Sequence, residues 1–256
     1  MPSRDPWEPP RRSLVVQEIC KKVGCSAQEG DKMLAETEQE LILHGNTSES
    51  TAMLEHAAAS GMSLATRMFP LFRKQVHLRT CGLASLSISL DYLLGHKSVS
   101  ITEGDIEAVI NQSSCSRVSE IHSRGMTLAE LSEVTMEVKK STMAAPIASE
   151  VVRLTDEDSL RSLLTQHLAC PRASATSAVI CNYSMAVAGQ GHWWGGHFSP
   201  AAAMDPETDR VLILDVWMFT HPFWIEIKRL YNAMDTVDKT CGERRGVLVL
   251  HATRET

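Results

Sequence analysis

Residues 75–94 read Gln75-Val-His-Leu-Arg-Thr-Cys81-Gly-Leu-Ala-Ser-Leu-Ser-Ile-Ser-Leu-Asp91-Tyr-Leu-Leu94. After Cys81, leucines recur at the spacing of one helix face, so the stretch predicts a helix that begins near the cysteine and packs against a core. The unpaired N–H groups and the dipole of a helix N-terminus favour a thiolate, the form of cysteine that attacks carbonyl carbons. Cys81 is therefore a candidate nucleophile. A buried structural cysteine is the alternative, because free cysteine is among the most buried residue types.

Around this helix, the chain predicts helices first and strands last. Helical patterns begin at Leu14 and recur at Met53–Ala58, Thr102–Asn111, Thr127–Val138, Thr155–Leu168 and Ile225–Met234, with Thr102 and Thr155 as capping residues. Short apolar runs bounded by Gly, Pro and Asp predict antiparallel strands at 178–183, 197–204, 211–215 and 246–251, the middle two forming a hairpin. This order indicates an α+β fold, with the nucleophile helix packed against a C-terminal antiparallel sheet.

The composition is that of a globular enzyme or binding protein. The chain has 256 residues, 43% of them hydrophobic and 22% charged, which suffices for one sizeable core. The net charge of −6 and the lack of a compact basic run argue against a nucleic-acid or membrane partner. No apolar stretch approaches the roughly 20 residues that cross a bilayer, and the segment Met1–Arg12 has no secretory character, so a cytoplasmic location is expected.

The seven cysteines do not predict disulfides or a zinc site. Their number is odd, and no pair has the two-residue gap of a zinc knuckle. Cys20 and Cys25 could hold a soft metal, but further ligands are missing nearby, which favours ordinary packing. We therefore expect reduced thiols and predict no metal-binding residue.

A thiolate nucleophile needs a base, and His197 is the preferred candidate among ten histidines. It opens a predicted strand after Gly195 and Gly196, where the absence of side chains lets a substrate approach the imidazole. Five other histidines are interpreted as surface or element-end residues: His44, His56, His96, His122 and His251. His77 and His192 lie near the expected cleft, but no orienting partner is evident for either.

Two further residues complete a candidate constellation. Asp215 ends an apolar strand predicted to pair with that of His197, so its carboxylate would orient the imidazole; a strand-ending turn aspartate is the alternative. Gln75, six residues before the nucleophile, could donate a hydrogen bond to the oxyanion, together with the N–H of Cys81. A solvated loop glutamine is the alternative for Gln75.

Together these residues and their neighbours resemble the phytochelatin synthase family, in the papain-like cysteine peptidase clan. The resemblance runs from about Leu41 to His251. It rests on Cys81-Gly-Leu-Ala-Ser-Leu86, Gly196-His-Phe-Ser-Pro200, Val211-Leu-Ile-Leu-Asp-Val216, Ala233-Met-Asp-Thr-Val-Asp238 and Gly242-Glu-Arg-Arg-Gly246. It implies a papain-like catalytic domain at 36–256, preceded by an N-terminal extension at 1–35 that is partly disordered or helical.

The resemblance also implies roles for individual residues. Cys81 would be the acylated nucleophile, His197 the general acid and base, Asp215 its orienting group and Gln75 the oxyanion donor. Four residues would contact the substrate: Gly196, Phe198, Asp238 and Arg245. Of these, Asp238 would bind the α-amino group and Arg245 the α-carboxylate at the γ-glutamyl end; an exposed charge pair is the alternative.

The reaction implied is a γ-glutamylcysteine dipeptidyl transfer. The thiolate attacks the Cys–Gly bond of glutathione, releases glycine, and passes the acyl group to another glutathione or phytochelatin, in heavy-metal detoxification. Acylation needs no cofactor, and Cd or Zn would enter as a metal–thiolate complex of the substrate. Glutathione and its metal–thiolate complexes are thus the expected partners, and family analogy leaves a homodimer open.

Departures from the family pattern keep other functions open. Met185 and Ala186 stand where basic residues are common, extra residues surround His192-Trp-Trp194, and a single cysteine, Cys115, replaces an expected pair. The resemblance ends after the catalytic domain, without the cysteine-rich extension of plant members, which is closer to the short forms, several of which are mainly hydrolases. A glutathione hydrolase with the same acyl-enzyme is therefore the alternative, and a non-catalytic binding protein of this fold is a third hypothesis.

Overall fold

The computed structural model describes residues 12–40, 42–43, 47–95, 100–113, 117–142, 147–169, 177–191 and 195–252. The helices are α1 Arg12–Val23, α2 Ala27–Glu40, α3 Ser48–Ala59, α4 Ala65–Met68, α5 Cys81–Leu94, α6 Glu103–Gln112, α7 Val118–Arg124, α8 Leu128–Thr142, α9 Glu157–Leu168, α10 Met185–Ala188 and α11 Ile227–Met234, with a 3₁₀ turn at Phe69–Leu71. The strands are β1 Ile42–Leu43, β2 Ile147–Val152, β3 Ser177–Ser184, β4 Gly196–Asp205, β5 Arg210–Ile213, β6 Phe223–Glu226, β7 Val237–Asp238, β8 Glu243–Arg244 and β9 Gly246–Ala252.

Seven strands form one antiparallel sheet in the order β1-β6-β5-β4-β3-β9-β2, and β7 pairs with β8. The central strands β3 and β4 are buried along almost their whole length, so helices must cover both faces of the sheet. Helix α5 contacts β3, β4 and β9, while α9 and α11 contact β3. The predicted α+β class, with the nucleophile helix against a C-terminal antiparallel sheet, is confirmed.

Helix α5 is the centre of the core because nearly every residue along it is apolar or small. Residues 82–93 are all buried, and the helix ends at Gly95, whose φ of 66° is a left-handed conformation that glycine adopts without strain. Cys81 is its first residue, as the leucine periodicity predicts. The nucleophile candidate therefore lies at the end of a rigid, fully packed element.

Several predicted helix ends move by a few residues for local reasons. Asp156, not Thr155, caps α9, since its carboxylate accepts the N–H of Ser159 at 2.7 Å and the Ser159 hydroxyl returns a bond to the backbone of Asp156. Thr155 and Asp156 are adjacent, and both residue types cap helices. The helix is capped by the aspartate, the stronger hydrogen-bond acceptor. Helix α11 begins at Ile227 because the preceding residues form strand β6 against β5. Strand β2 was not predicted, because its pairing partner β9 is distant in sequence.

The N-terminal region contains two described helices, α1 and α2, which pack on each other. Val15, Val16 and Ile19 of α1 are buried. The predictions for Met1–Arg11, Cys115 and His192–Trp194 fall on residues outside the described ranges. Within those ranges, no helix combines the length and the apolar character needed to cross a membrane.

Candidate active site

Cys81, His197 and Asp215 come together at the junction of α5 and the sheet. The Nε2 atom of His197 lies 2.8 Å from Oδ1 of Asp215, and the imidazole also has a side-chain hydrogen bond with Cys81. Since Nε2 is engaged by the carboxylate, Nδ1 is the nitrogen left to face the thiol. His197 is 2% exposed and Asp215 fully buried, whereas Cys81 is half-buried and open to the cleft. The candidate nucleophile is accessible, while His197 and Asp215 are shielded from solvent.

Asp215 follows β5, and its position depends on an extended segment that continues alongside β4. The N–H of Leu214 donates to the carbonyl of Pro200 at 2.8 Å, and that of Val216 donates to the Ser199 hydroxyl at 3.4 Å. His197 lies two residues before Ser199 on β4, so this pairing brings the carboxylate beside the imidazole.

Four donors saturate the Asp215 carboxylate. Oδ1 accepts from His197 and from the backbone N–H of Trp217 at 2.9 Å, and Oδ2 accepts from the Gln190 amide and the Thr220 hydroxyl. Each lone-pair direction is used, so the carboxylate cannot rotate without losing hydrogen bonds. The imidazole is thereby held in one orientation.

The electrostatics favour a charged pair at this site. Burial alone would lower the pKa of His197, but the charges of Asp215 and Cys81, with hydrogen bonds to both, raise it to about 9. Burial alone would raise the pKa of Asp215, but the charge and hydrogen bond of His197, with the nearby Lys74 cation and the Thr220 hydroxyl, lower it. Near neutral pH the site therefore holds an ionised Asp215 and a protonated His197.

Lys74 is a second cation, half-buried, beside the segment that carries the carboxylate. Its Nζ donates to the backbone carbonyl of Asp215 at 2.9 Å and to that of Thr220. Burial lowers the pKa of Lys74 to about 8, despite the opposing effect of Asp215. Lys74 thus ties the turn that carries Asp215 and Thr220 to the segment before Cys81.

Two aromatic rings pack against the imidazole. Tyr183, directly opposite His197 in the β3–β4 register, lies edge-on with its ring centroid 5.7 Å away, and Trp217 does the same at 6.0 Å. These rings exclude water from the His197–Asp215 hydrogen bond, which strengthens it. They also restrict rotation of the imidazole.

The first turn of α5 offers backbone donors next to the thiol. Thr80 precedes the helix, and among the described residues its side chain makes no capping hydrogen bond; its hydroxyl instead donates to the carbonyl of His77 at 3.1 Å. Backbone N–H groups in the first turn of a helix have no acceptor within that helix, so the N–H of Cys81 points out of the N-terminal end of α5. This leaves it available for an oxyanion that forms on a substrate carbonyl.

Gln75 is buried, 3% exposed, in the segment leading to Cys81. Its Nε2 donates to the carbonyl of His77 at 2.6 Å, its N–H donates to the carbonyl of Val216 at 2.8 Å, and it does not line the described cleft. The structure therefore places the Gln75 side chain outside the cleft lining, and its backbone is hydrogen-bonded to the residue that follows Asp215. Oxyanion donation by its amide would require a rotation away from His77.

A cleft of about 700 Å³ opens in front of Cys81. Asp238 and Arg245 line it, and Nη1 of Arg245 lies 3.2 Å from Oδ2 of Asp238 and 3.2 Å from Oδ1 of Asn182. Gly196 lies directly under the guanidinium: a Cβ there would come within 2.1 Å of Nη1 of Arg245. The absent side chain at position 196 thus makes room for Arg245, whereas at Gly195 a Cβ would meet nothing within 4 Å.

The other predicted contact residue, Phe198, lines the cleft and is 2% exposed. It packs toward the α5 entrance, where a Cβ on Gly82 would lie 3.6 Å from its Cδ2. Met185, where a basic residue is common in the resembling family, lines the same cleft and is buried.

The cleft is positively charged although the chain as a whole is acidic. Six lysine and arginine side chains line it against two carboxylates, Glu18 and Asp238. Lys22 of α1 and Arg79 of the segment before Cys81 lie close enough that Arg79, after burial, helps to lower the pKa of Lys22. An anionic peptide would be attracted to this opening.

The model of the phytochelatin synthase family matches residues 26–247. The chain belongs to the phytochelatin synthase family. Glutathione gamma-glutamylcysteinyltransferase 1 of Arabidopsis thaliana is 26% identical over 196 residues, covering 72% of this chain and 36% of the relative. Glutathione gamma-glutamylcysteinyltransferase of Schizosaccharomyces pombe is 39% identical over 56 residues, covering 22% of this chain and 14% of the relative. The chain thus spans little more than a third of the length of the first of these relatives.

Two solved structures also align with the chain. The peptidase domain of Streptococcus ComA has a TM-score of 0.41 and 10% identity, covering 71% of this chain and 98% of that domain. A C39-like peptidase from Bacillus anthracis has a TM-score of 0.44 and 12% identity, covering 72% and 95%.

Sequence reasoning missed the groups that support the predicted residues. Gln190, Thr220 and Trp217 all bind Asp215, and Asn182 binds Arg245, but none of them stands beside its partner in a recognisable motif. One signal was available for Trp217, since it follows Asp215 by only two residues. Asn182 carried no such signal.

Proposed function

We propose that this protein is a glutathione γ-glutamylcysteinyltransferase. The observation that carries the proposal is the Cys81–His197–Asp215 arrangement at a positively charged cleft, in a chain of the phytochelatin synthase family. The substrate is glutathione, a small peptide with two carboxylates. Its product peptides chelate soft metals through their thiolates, which links the activity to heavy-metal detoxification.

In the first half-reaction the Cys81 thiolate attacks the carbonyl carbon of the Cys–Gly peptide bond. The Cys81 N–H stabilises the oxyanion that forms, joined by the Gln75 amide after it turns from His77. The protonated His197 then gives its proton to the glycine nitrogen as the C–N bond breaks. Glycine leaves, and a γ-glutamylcysteinyl thioester remains on Cys81.

The γ-glutamyl end of the substrate is held by the Asp238–Arg245 pair. Arg245 offers a planar fork to the α-carboxylate, and Asp238 accepts from the α-amino group. The side chains are only 10% and 12% exposed and already bind one another, so they are pre-organised in the cleft. Pre-organised charges bind a ligand without the entropy cost of first ordering them.

In the second half-reaction the amino group of another glutathione attacks the thioester. The neutral His197 takes the proton from that amine, a peptide bond forms, and Cys81 leaves as a thiolate. Lys22 and Arg79 at the cleft opening attract a second anionic peptide, in the place of the basic residues that Met185 and Ala186 replace. Cd or Zn enters this step as a metal–thiolate complex of the acceptor and is therefore part of the substrate.

The second candidate function is a glutathione hydrolase, in which water resolves the same thioester. The observation in its favour is the buried, uncharged Met185 in the cleft wall. Mass spectrometry after incubation with glutathione, with and without Cd, distinguishes the two. Transfer yields oligomers of γ-Glu-Cys, hydrolysis yields only the free dipeptide and glycine, and unchanged glutathione under all conditions would contradict both.

Replacing Gly196 with alanine is expected to weaken glutathione binding. The new Cβ would lie 2.1 Å from Nη1 of Arg245 and would push the guanidinium out of its position. Because a charge-assisted hydrogen bond contributes about 1.5–3 kcal/mol, the KM for glutathione should rise about 10-fold to 100-fold. Steady-state glycine release measures it.

Gly104→Ala is the control, since a Cβ at position 104, on α6 and outside the cleft lining, would meet the Thr102 Oγ1 at an ordinary contact distance of 3.7 Å. Its KM should stay within about two-fold of the wild-type value. Equal KM values for the two alanine variants would show that Arg245 does not hold the substrate.

A further inference from the structure

Three residues with metal-binding side chains meet outside the catalytic cleft. His77 belongs to the segment before Cys81, Glu107 to α6 and His122 to α7, and one ligand atom from each lies within 4.8 Å of the other two. Nε2 of His122 is 2.7 Å from Oε1 of Glu107, and the His77 and His122 rings are 4.4 Å apart. We call these residues the His77 cluster.

The geometry points to a binding site for a divalent transition metal ion of the Zn²⁺ type in the His77 cluster. Two imidazoles and one carboxylate are a common protein donor set for Zn²⁺, with water in the remaining position. Tetrahedral Zn²⁺ with bonds of about 2.0–2.2 Å separates its ligand atoms by about 3.3 Å, so small side-chain rotations suffice to close this cluster. The side chains of His122 and Glu107 are 33% and 21% exposed, which lets an ion and its water enter.

The proposed ion would act on the segment that carries Gln75. The carbonyl of His77 accepts the Gln75 amide at 2.6 Å and the Thr80 hydroxyl at 3.1 Å, immediately before Cys81. Helix α6 already binds this segment one turn earlier, where Oε1 of Glu103 accepts the N–H of Val76 at 2.9 Å. Coordination by His77 and Glu107 adds a second link between the segment and α6.

This link gives the metal a role distinct from its role in the substrate. An ion that fixes His77 also fixes the carbonyl to which Gln75 and Thr80 bind, so it orders the entrance to the nucleophile helix. The inference does not rest on the proposed transferase activity, because the ion binds to protein side chains in the absence of glutathione. Failure of the enzyme assay would leave it intact, and the reverse is also true.

The test is a titration of the glutathione-free, chelator-treated protein with Co²⁺, which reports its ligands through visible absorption, followed by displacement with Zn²⁺. We expect one Co²⁺ per chain with the intense visible bands of four-coordinate nitrogen and oxygen ligation. Glu107→Gln and His122→Gln should each weaken the affinity at least 10-fold, because a three-ligand site loses one donor. Both residues are partly exposed, and circular dichroism will verify that the variants are folded.

Two controls separate this site from other donors in the chain. His56→Gln alters another histidine–carboxylate contact, in which Nδ1 lies 3.4 Å from Oε2 of Glu207, and should not change the affinity. Cys25→Ser alters a thiol pair whose sulfur atoms lie 3.6 Å apart, and should also leave the bands unchanged. The proposal would be overturned if Glu107→Gln bound Co²⁺ as tightly as the wild type, or if His56→Gln lost as much affinity for Co²⁺ as Glu107→Gln.

Hydrogen exchange supplies a second measurement. Saturating Zn²⁺ should slow amide exchange in residues 75–80 of the wild-type protein by several-fold and have no such effect in Glu107→Gln. Ion binding with no slowing in this segment would contradict the link between the His77 cluster and the nucleophile helix.

Discussion

Replacing Cys81 with serine is expected to lower the rate of glycine release from glutathione by about 10⁴-fold or more. The side chain is nearly isosteric, so the packing of α5 is retained. A hydroxyl, however, remains protonated next to an imidazole that is already protonated at neutral pH, and no thiolate is present to attack. Glycine release measured at pH 7 with saturating glutathione determines the loss.

The same substitution identifies the reactive thiol directly. Wild-type protein should be alkylated first at Cys81, and glutathione should protect it, because the thiol lines the cleft and faces His197. Cys181 is expected to stay unmodified, since complete burial raises the pKa of its thiol to about 12. Cys25→Ser is the control and should retain wild-type glycine release. Equal activity of wild type and Cys81→Ser would disprove the proposed mechanism.

Replacing Asp215 with asparagine is expected to lower kcat by about 10²–10⁴-fold with a smaller change in KM. Every oxygen of the carboxylate faces donors: His197 and the Trp217 N–H on one side, Gln190 and Thr220 on the other. Whichever way the asparagine amide turns, its NH₂ group meets one of these donor pairs. The imidazole then loses its fixed orientation and tautomer.

The pH dependence tests whether Asp215 acts through His197. In the wild type, glycine release should decline as pH rises through about 9, because His197 then loses the proton that the leaving glycine needs. The Asp215 charge helps to raise that pKa, so Asp215→Asn should move the decline to lower pH. This decline at high pH is the alkaline limb of the profile. If Asp215→Asn lowers the rate but leaves the alkaline limb at the wild-type pH, Asp215 has only a structural role.

Asp205→Asn provides a matched comparison for the loss of a buried carboxylate. Asp205 ends β4, is fully buried, and accepts hydrogen bonds from the Glu207 N–H and the Thr208 hydroxyl outside the cleft. This variant should be less stable to heat than the wild type, yet its alkaline limb should coincide with that of the wild type. A shifted limb in Asp205→Asn would mean that the pH effect is not specific to Asp215.

The parts of the site that the sequence predicted are those with a local signature. The leucines after Cys81 recur at helical spacing, and the helix begins at the predicted residue. The strand that carries His197 and the strand that precedes Asp215 are separated by turn residues, and the two strands form the expected hairpin. The two glycines before a predicted strand favoured His197 among ten histidines, and the family resemblance then implied its role as acid and base.

Contacts between distant segments decided the rest, and no local pattern encodes them. The four donors on Asp215 depend on how the segment after β5 lies along β4, and the cavity for Arg245 exists because β9 brings it over Gly196. Gln75 is a further case, since its side-chain amide donates to the carbonyl of His77 and does not line the cleft. By itself, the sequence determined an α+β fold, the family and the position of Cys81, the candidate nucleophile, at the start of a helix. The tertiary structure alone decided the hydrogen-bond partners, the charge of the cleft and the His77 cluster, because these depend on sheet register and helix packing, which bring together side chains far apart in the chain.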